Sequence, residues 1–180
     1  HFCGLIGYLK NTCLEKDSIV NCDETWCRVK REGCYKKKYI WCLVNKLSKV
    51  VIYCYEDGSR GRDALKRILG DSQVKALQSD GYNVYMYLDD HMVDIEHLCC
   101  MAHARAKFKY AFEQGGDKDA AFILELIGEL YKLEREYEEG GLSPGQIRLC
   151  RNNLKTKEII IKLRGKLDVL LRTVIRPAAS

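Results

Sequence analysis

The chain has 180 residues, enough for one ordinary domain with or without a small appendage. Hydrophobic residues make up 47% and charged residues 31%, a globular mix that can bury a core without disulfide staples. Only two prolines occur, which excludes a proline-rich disordered linker, and the net charge of +5 permits a polyanionic partner without requiring one.

No run of eighteen apolar residues exists, so no membrane-spanning helix is expected. The opening His1-Phe2-Cys3-Gly4 has no basic stretch followed by an apolar core, so it does not read as a secretory signal. It also lacks an initiator Met, as expected of a fragment or a processed product. The ten cysteines include no Cys-x-x-Cys pair. They read as reduced thiols in a cytosolic protein.

In chain order, residues 1–18 carry Phe2, Leu5, Ile6, Leu9 and Leu14, a pattern that suits a short helical lead-in. Strand signals follow. Residues 19–22 lead into Asp23, and residues 38–44 and 50–55 are rich in aromatic and branched side chains, with a turn expected at 45–49. Ala64, Leu65, Ile68 and Leu69 make a helical stripe over 62–69, closed by Gly70. Residues 74–78 and 93–98 read as two more short strands. From Cys100 onward the pattern is helical, over 100–114, 119–138 and 143 to about 174, with breaks at Gly115-Gly116 and Gly140-Gly141. The order predicts an α/β fold: a three-strand antiparallel meander, then two strands added in parallel by crossover, then helices.

Two aspartates stand out by position. Asp23 follows or closes the first apolar strand, and Asp80 ends the fourth, where ligands gather in open sheets. Asp at a strand end also simply starts turns. A third carboxylate is picked out by helical phase. With Ile123 as reference, Ile127, Leu130 and Tyr137 lie on one face, and Glu134 falls inside that apolar stripe. Glu125, Glu129 and Glu136 lie opposite. A carboxylate on a buried face needs either a basic partner, such as a nearby Arg, or a metal. Three carboxylates from two strands and a helix would suit two Mg²⁺ or Mn²⁺ ions and phosphoryl transfer. No Walker-type phosphate loop is present.

The runs Asp23-Glu24-Thr25, Tyr39-Ile40-Trp41, Ser59-Arg60, Asp80-Gly81-Tyr82, Cys100-Met101-Ala102-His103-Ala104-Arg105-Ala106-Lys107-Phe108 and Leu130-Tyr131-Lys132-Leu133-Glu134 occur in one order. Together they resemble the central catalytic domain of the insertion-sequence-66 family of bacterial transposases, over roughly residues 19–155. The resemblance implies a ribonuclease-H-like fold and a DDE triad at Asp23, Asp80 and Glu134. It implies a bacterial, cytoplasmic enzyme that cuts DNA at element ends and joins the freed 3′-hydroxyl to target DNA, acting as a homo-oligomer. The family's Ala-Arg-Arg-Lys-Phe reads Ala104-Arg105-Ala106-Lys107-Phe108 here, with one basic residue fewer. On this reading residues 1–18 are the lead-in. Residues 19–140 are the catalytic domain, with a helical Cys-x-x-His segment at 99–116, and residues 141–180 form a basic helical extension. Two rival functions remain: a DNA-binding or self-associating transposase fragment that does not cut, and a same-fold nuclease acting on RNA–DNA hybrids or branched DNA.

Other residues have a bland reading beside the functional one. Cys100 and His103 have zinc-ligand spacing, with Cys99 and His97 near, but a second pair at that spacing is missing, so zinc is not expected. Arg60 and Arg62, and His103, Arg105 and Lys107, are candidate DNA contacts; a solvated face or surface ion pairs would also explain them. Trp26 and Trp41 are expected to pack in the core or at a sheet edge rather than to serve as base-stacking platforms. Charge is segregated. Residues 111–139 carry three basic and nine acidic side chains, 148–176 nine basic and two acidic, and 28–38 six basic and one acidic. Basic segments flanking a carboxylate cluster suit a DNA backbone.

Overall fold

A computed structural model describes residues 2–88 and 94–173. The chain forms two compact units, 1–103 and 104–180, whereas the sequence grouping runs 1–18, 19–140 and 141–180.

The first unit holds helix α1 (Phe2–Cys13), strands β1 (Ile19–Arg31), β2 (Cys34–Asn45) and β3 (Val50–Glu56), helix α2 (Arg62–Leu69), strand β4 (Ala76–Ser79), a 3₁₀ turn (Tyr85–Leu88) and strand β5 (Glu96–Cys99). The five strands form one mixed sheet in the order β3-β2-β1-β4-β5. The first three are antiparallel neighbours, and β1, β4 and β5 run parallel. The expected α/β sheet, a three-strand meander with two strands added in parallel, is what the chain forms. Helix α2 has the expected bounds, and Gly70, at φ 57, returns its N–H to the Lys66 carbonyl. Of the predicted strand at 93–98, residue 93 lies outside the described residues.

Alternation along β1 sends Val20 and Cys22 to one face, opposite Leu77 of β4 and Leu43 of β2. Trp41 joins them, and Leu65, Ile68 and Leu69 of α2 and Tyr85 close the same core. Helix α1 is tied to the sheet by a buried amide. Asn45 is 1% exposed. Its Nδ2 donates to the Cys13 carbonyl at 3.0 Å, and its Oδ1 accepts from the Leu47 and Ser48 amides at 3.1 and 3.2 Å. Asn45→Ala strands those three backbone groups, at a cost of about 1–3 kcal/mol. A urea melt should show a lower midpoint with an unchanged slope.

β1 is longer than expected. It does not close at Asp23 but runs eight residues further, to Arg31. The reason is the partner strand: Arg31 pairs with Cys34 across a two-residue turn in which Glu32 and Gly33 both have positive φ, 50 and 80. That is the turn whose twist suits a hairpin, and it holds polar residues in a strand their hydropathy does not announce.

The second unit contains helix α3 from residue 104 onward (α3 as a whole is Met101–Gly115), α4 (Lys118–Glu139), α5 (Pro144–Arg151) and α6 (Leu154–Thr173). Asp117 caps α4 by accepting from the Asp119 and Ala120 amides. Ser143 and Gln146 form a capping box ahead of α5. The single helix expected from 143 onward is two. It breaks at Asn152-Asn153, where Asn153 Oδ1 accepts from the Thr156 amide at 2.8 Å and starts α6. Ile123, Leu126, Ile127 and Leu133 of α4 share a core with Ile159 and Leu163 of α6.

Candidate active site

Asp23 and Asp80 come from neighbouring parallel strands. Asn21 of β1 is in register with Gln78 of β4, and its side-chain amide donates to the Gln78 oxygen at 2.5 Å. Two residues further along each chain stand Asp23, within β1, and Asp80, just past β4. Asp23 keeps 58% of its side chain exposed. Its Oδ1 accepts from the Glu24 amide at 2.9 Å, and its Oδ2 lies 3.6 Å from His103 Nε2. Asp80 Oδ1 accepts from the Tyr82 amide at 3.0 Å, the turn-starting bond foreseen for an Asp there. A cavity of about 100 Å³ opens beside Asp23, lined by Asn21, Gln78, Ser79, Cys100 and His103 among others.

On the other face lies a further carboxylate, to which the sequence pattern assigned no role. Glu24 points the opposite way from Asp23, in phase with Val20 and Cys22, and its side chain is only 5% exposed. Tyr85 donates its hydroxyl to Glu24 Oε2 at 2.7 Å, and Arg60 Nη1 stands 3.6 Å from Oε1. Burial raises the Glu24 carboxyl, and the negative charges of Asp80 and Asp23 raise it further; the Tyr85 bond and Arg60 pull it back down. Burial also drives the Tyr85 hydroxyl far up, so it stays a donor, and pushes the Cys22 thiol to about 12, which makes it inert as a nucleophile. Tyr85 stacks on His97 with centroids 5.8 Å apart, and His97 Nε2 meets Ser79 Oγ at 2.8 Å. The signal for Glu24 was legible. An acid on the apolar phase of a strand is the same anomaly that singled out Glu134 on its helix.

Glu134 lies in the second unit, half-buried on the apolar stripe of α4 as its phase predicts. Arg151 of α5 grips it with two bonds, Nε to Oε1 at 2.7 Å and Nη2 to Oε2 at 2.5 Å. The guanidinium holds the Glu134 carboxyl below the usual carboxylate range. This is the Arg partner that a carboxylate on a buried face requires.

The candidate DNA contacts fall into two kinds. Arg60 is committed to Glu24 and also sits 4.1 Å over the Tyr82 ring. His103 Nε2 lies 3.6 Å from Asp23 Oδ2, an ion pair when the imidazole is protonated. Arg62 begins α2 and faces solvent, as do Arg105 and Lys107 on α3. All ten cysteines are free. Among the described residues no three His, Cys, Asp or Glu side chains gather closely enough to form a ready-made metal cluster. Trp41 is fully buried, as expected, but Trp26 is not: 52% of it is exposed.

Known proteins bear on this geometry. The family model described as "Transposase IS66 family" matches residues 4–177. A protein described as "Uncharacterized protein y4jD", from Sinorhizobium fredii (strain NBRC 101917 / NGR234), is 30% identical over 123 residues, covering 64% of this chain and 22% of that protein. The chain thus spans about a fifth of that relative's length. Among solved structures, the HTLV-2 integrase catalytic core domain in complex with magnesium (trimeric form) aligns at 11% identity and a TM-score of 0.34, over 66% of this chain and 85% of that one. The simian T-cell lymphotropic virus intasome in complex with PP2A regulatory subunit B56 gamma aligns at 13% identity and a TM-score of 0.35, over 62% and 47%. No helix among the described residues is long and apolar enough to cross a membrane.

Proposed function

The chain belongs to the IS66 family of transposases, and from that premise we propose that it is a catalytic domain that cuts and joins DNA strands by metal-dependent phosphoryl transfer. The observation that supports the proposal is the in-register pair Asn21 and Gln78 on adjacent parallel strands, two residues before Asp23 and Asp80 in the chain. Mg²⁺ is commonly held by one or two carboxylates, with water and substrate phosphates completing its shell. Two hard oxygen donors, Asp23 within β1 and Asp80 just past β4, fit Mg²⁺ or Mn²⁺. Asp23 and Asp80 would hold the ions, which when bound would neutralise phosphate charge and activate the attacking oxygen; Glu134 is the third carboxylate that the family triad implies.

The remaining work falls to the chain's own side chains. His103 steadies the Asp23 carboxylate. Tyr85 and Arg60 hold Glu24 on the core face of β1, opposite Asp23. Arg62, Arg105 and Lys107 meet backbone phosphates. The substrates are element ends and target DNA in the bacterial cytoplasm, handled by a homo-oligomer. A second reading, binding without cleavage, is favoured by one observation: the Glu134 carboxylate is already engaged by Arg151.

A plasmid-nicking assay separates the two. Supercoiled DNA incubated with the full chain should relax in Mg²⁺ or Mn²⁺ and stay supercoiled in EDTA. Binding with no nicking in either metal would reject the catalytic reading and leave the binding one.

A further inference from the structure

The outer half of the β1–β2 hairpin leaves the sheet. β4 pairs with β1 only over residues 19–21, and β3 pairs with β2 only from Tyr39 to Asn45. Residues 26–38 therefore form a two-stranded ribbon, an element of little independent stability. Directly opposite residues share a face, so Trp26 with Tyr39, Arg28 with Lys37, and Lys30 with Tyr35 make one stripe. The stripe continues the face that carries the core at the sheet's base.

Its composition opposes folding in two ways. Trp26 and Tyr35 are 52% and 68% exposed. Arg28 and Lys37 are like charges placed directly across from each other, which repel. On the opposite face of the ribbon two of the cations are neutralised: Arg31 and Lys38 both pair with Asp57, at 3.0 and 3.1 Å. Among the described residues, Arg28, Lys30 and Lys37 have no carboxylate partner. Instead Arg28 and Lys37 lie 5.9 and 5.1 Å from the centroid of the Trp26 ring, and Lys37 is 5.7 Å from that of Tyr39. The stripe thus interleaves three exposed or half-exposed aromatics with three unneutralised cations.

We propose that this stripe is a binding surface for single-stranded DNA, with Trp26 stacking on an unpaired base and Arg28, Lys30 and Lys37 contacting successive phosphates. The charge fits a polyanion, and an indole among cations is the arrangement that binds unpaired strands without regard to sequence. A duplex meets the cations equally well but offers the indole only base edges, because its base faces are already stacked on one another. The inference rests on DNA being the substrate and adds where a melted or frayed strand is held.

The test is fluorescence anisotropy of the full chain with labelled oligothymidylate and with a duplex of equal length, in EDTA. The single strand should bind more tightly. Trp26→Ala should weaken it about tenfold, Trp26→Phe should restore most of the loss, and neither should alter duplex binding much. The Arg28→Gln/Lys37→Gln double variant should flatten the slope of log affinity against log salt by about 1.4, the sum of two phosphate contacts on a single strand. Circular dichroism checks that each variant keeps its sheet. Unchanged single-strand affinity and slope in folded variants would overturn the proposal, as would duplex binding as tight as that of the single strand. If the hairpin variants bind normally while the wild type nicks DNA, this inference falls and the catalytic reading stands. If the hairpin binds the strand but no nicking occurs, the reverse holds.

Discussion

Asp80→Asn is expected to lower Mg²⁺-dependent nicking at least about 100-fold while leaving the protein folded. Residues that merely support metal ligands commonly cost 10–100-fold when removed, so a ligand should cost at least as much. Asn retains the shape of Asp and one carbonyl oxygen, so the bond from the Tyr82 amide survives and the turn after β4 is kept. What it loses is the negative charge. Asp80→Ala would lose the charge and the turn together and so could not separate chemistry from folding. Asp23→Asn should act alike, since that side chain is mostly in solvent and anchors no packing. Melting curves should shift by no more than about 0.5 kcal/mol equivalent. Wild-type nicking rates in either variant would remove that aspartate from the site.

The parts legible in the sequence are those in which local pattern and tertiary packing agree. The stripe Ala64, Leu65, Ile68, Leu69 and the stop at Gly70 mark α2 because the residues that make the helix are also the ones it buries. The apolar runs of β2 and β3 announce a meander for the same reason. β1 beyond Cys22 gives no such signal, because its outer half buries almost nothing and is held by backbone pairing through the Glu32-Gly33 turn. Trp26, on that outer half, is accordingly half in solvent, whereas Trp41 on the inner sheet is buried. The pairing of Asn21 with Gln78, from two strands nearly sixty residues apart, is likewise encoded by no local pattern. The phase of Glu134 was legible from its own helix. Its partner was not, because Arg151 comes from a separate short helix created by the Asn152-Asn153 break, inside what reads as one continuous helix.

Paired substitutions at Glu134 and Arg151 should behave unequally. As an ion pair the two are modest: their side chains are 35% and 58% exposed, and such contacts are worth about 0.2–1 kcal/mol. Glu134→Gln and Arg151→Ala should each therefore lower stability by no more than about 1 kcal/mol. Because the pair holds the Glu134 carboxyl below its unfolded value, that contribution is present above the unfolded pKa. It is lost as the pH falls through the folded one, so the stability difference between wild type and Glu134→Gln should vanish in acid. Activity should tell a different story. If Glu134 is the third carboxylate, Glu134→Gln should cost at least about 100-fold in nicking. Arg151→Ala should keep nicking or lower the Mg²⁺ concentration needed for it, because the competing cation is gone. If Glu134 serves only to pair Arg151, both variants should nick like the wild type and differ from it only in melting. Equal, small stability losses with unequal activity would mean that one carboxylate serves both partners in turn: the guanidinium when the site holds no metal, and the metal when DNA brings its phosphates to complete the shell.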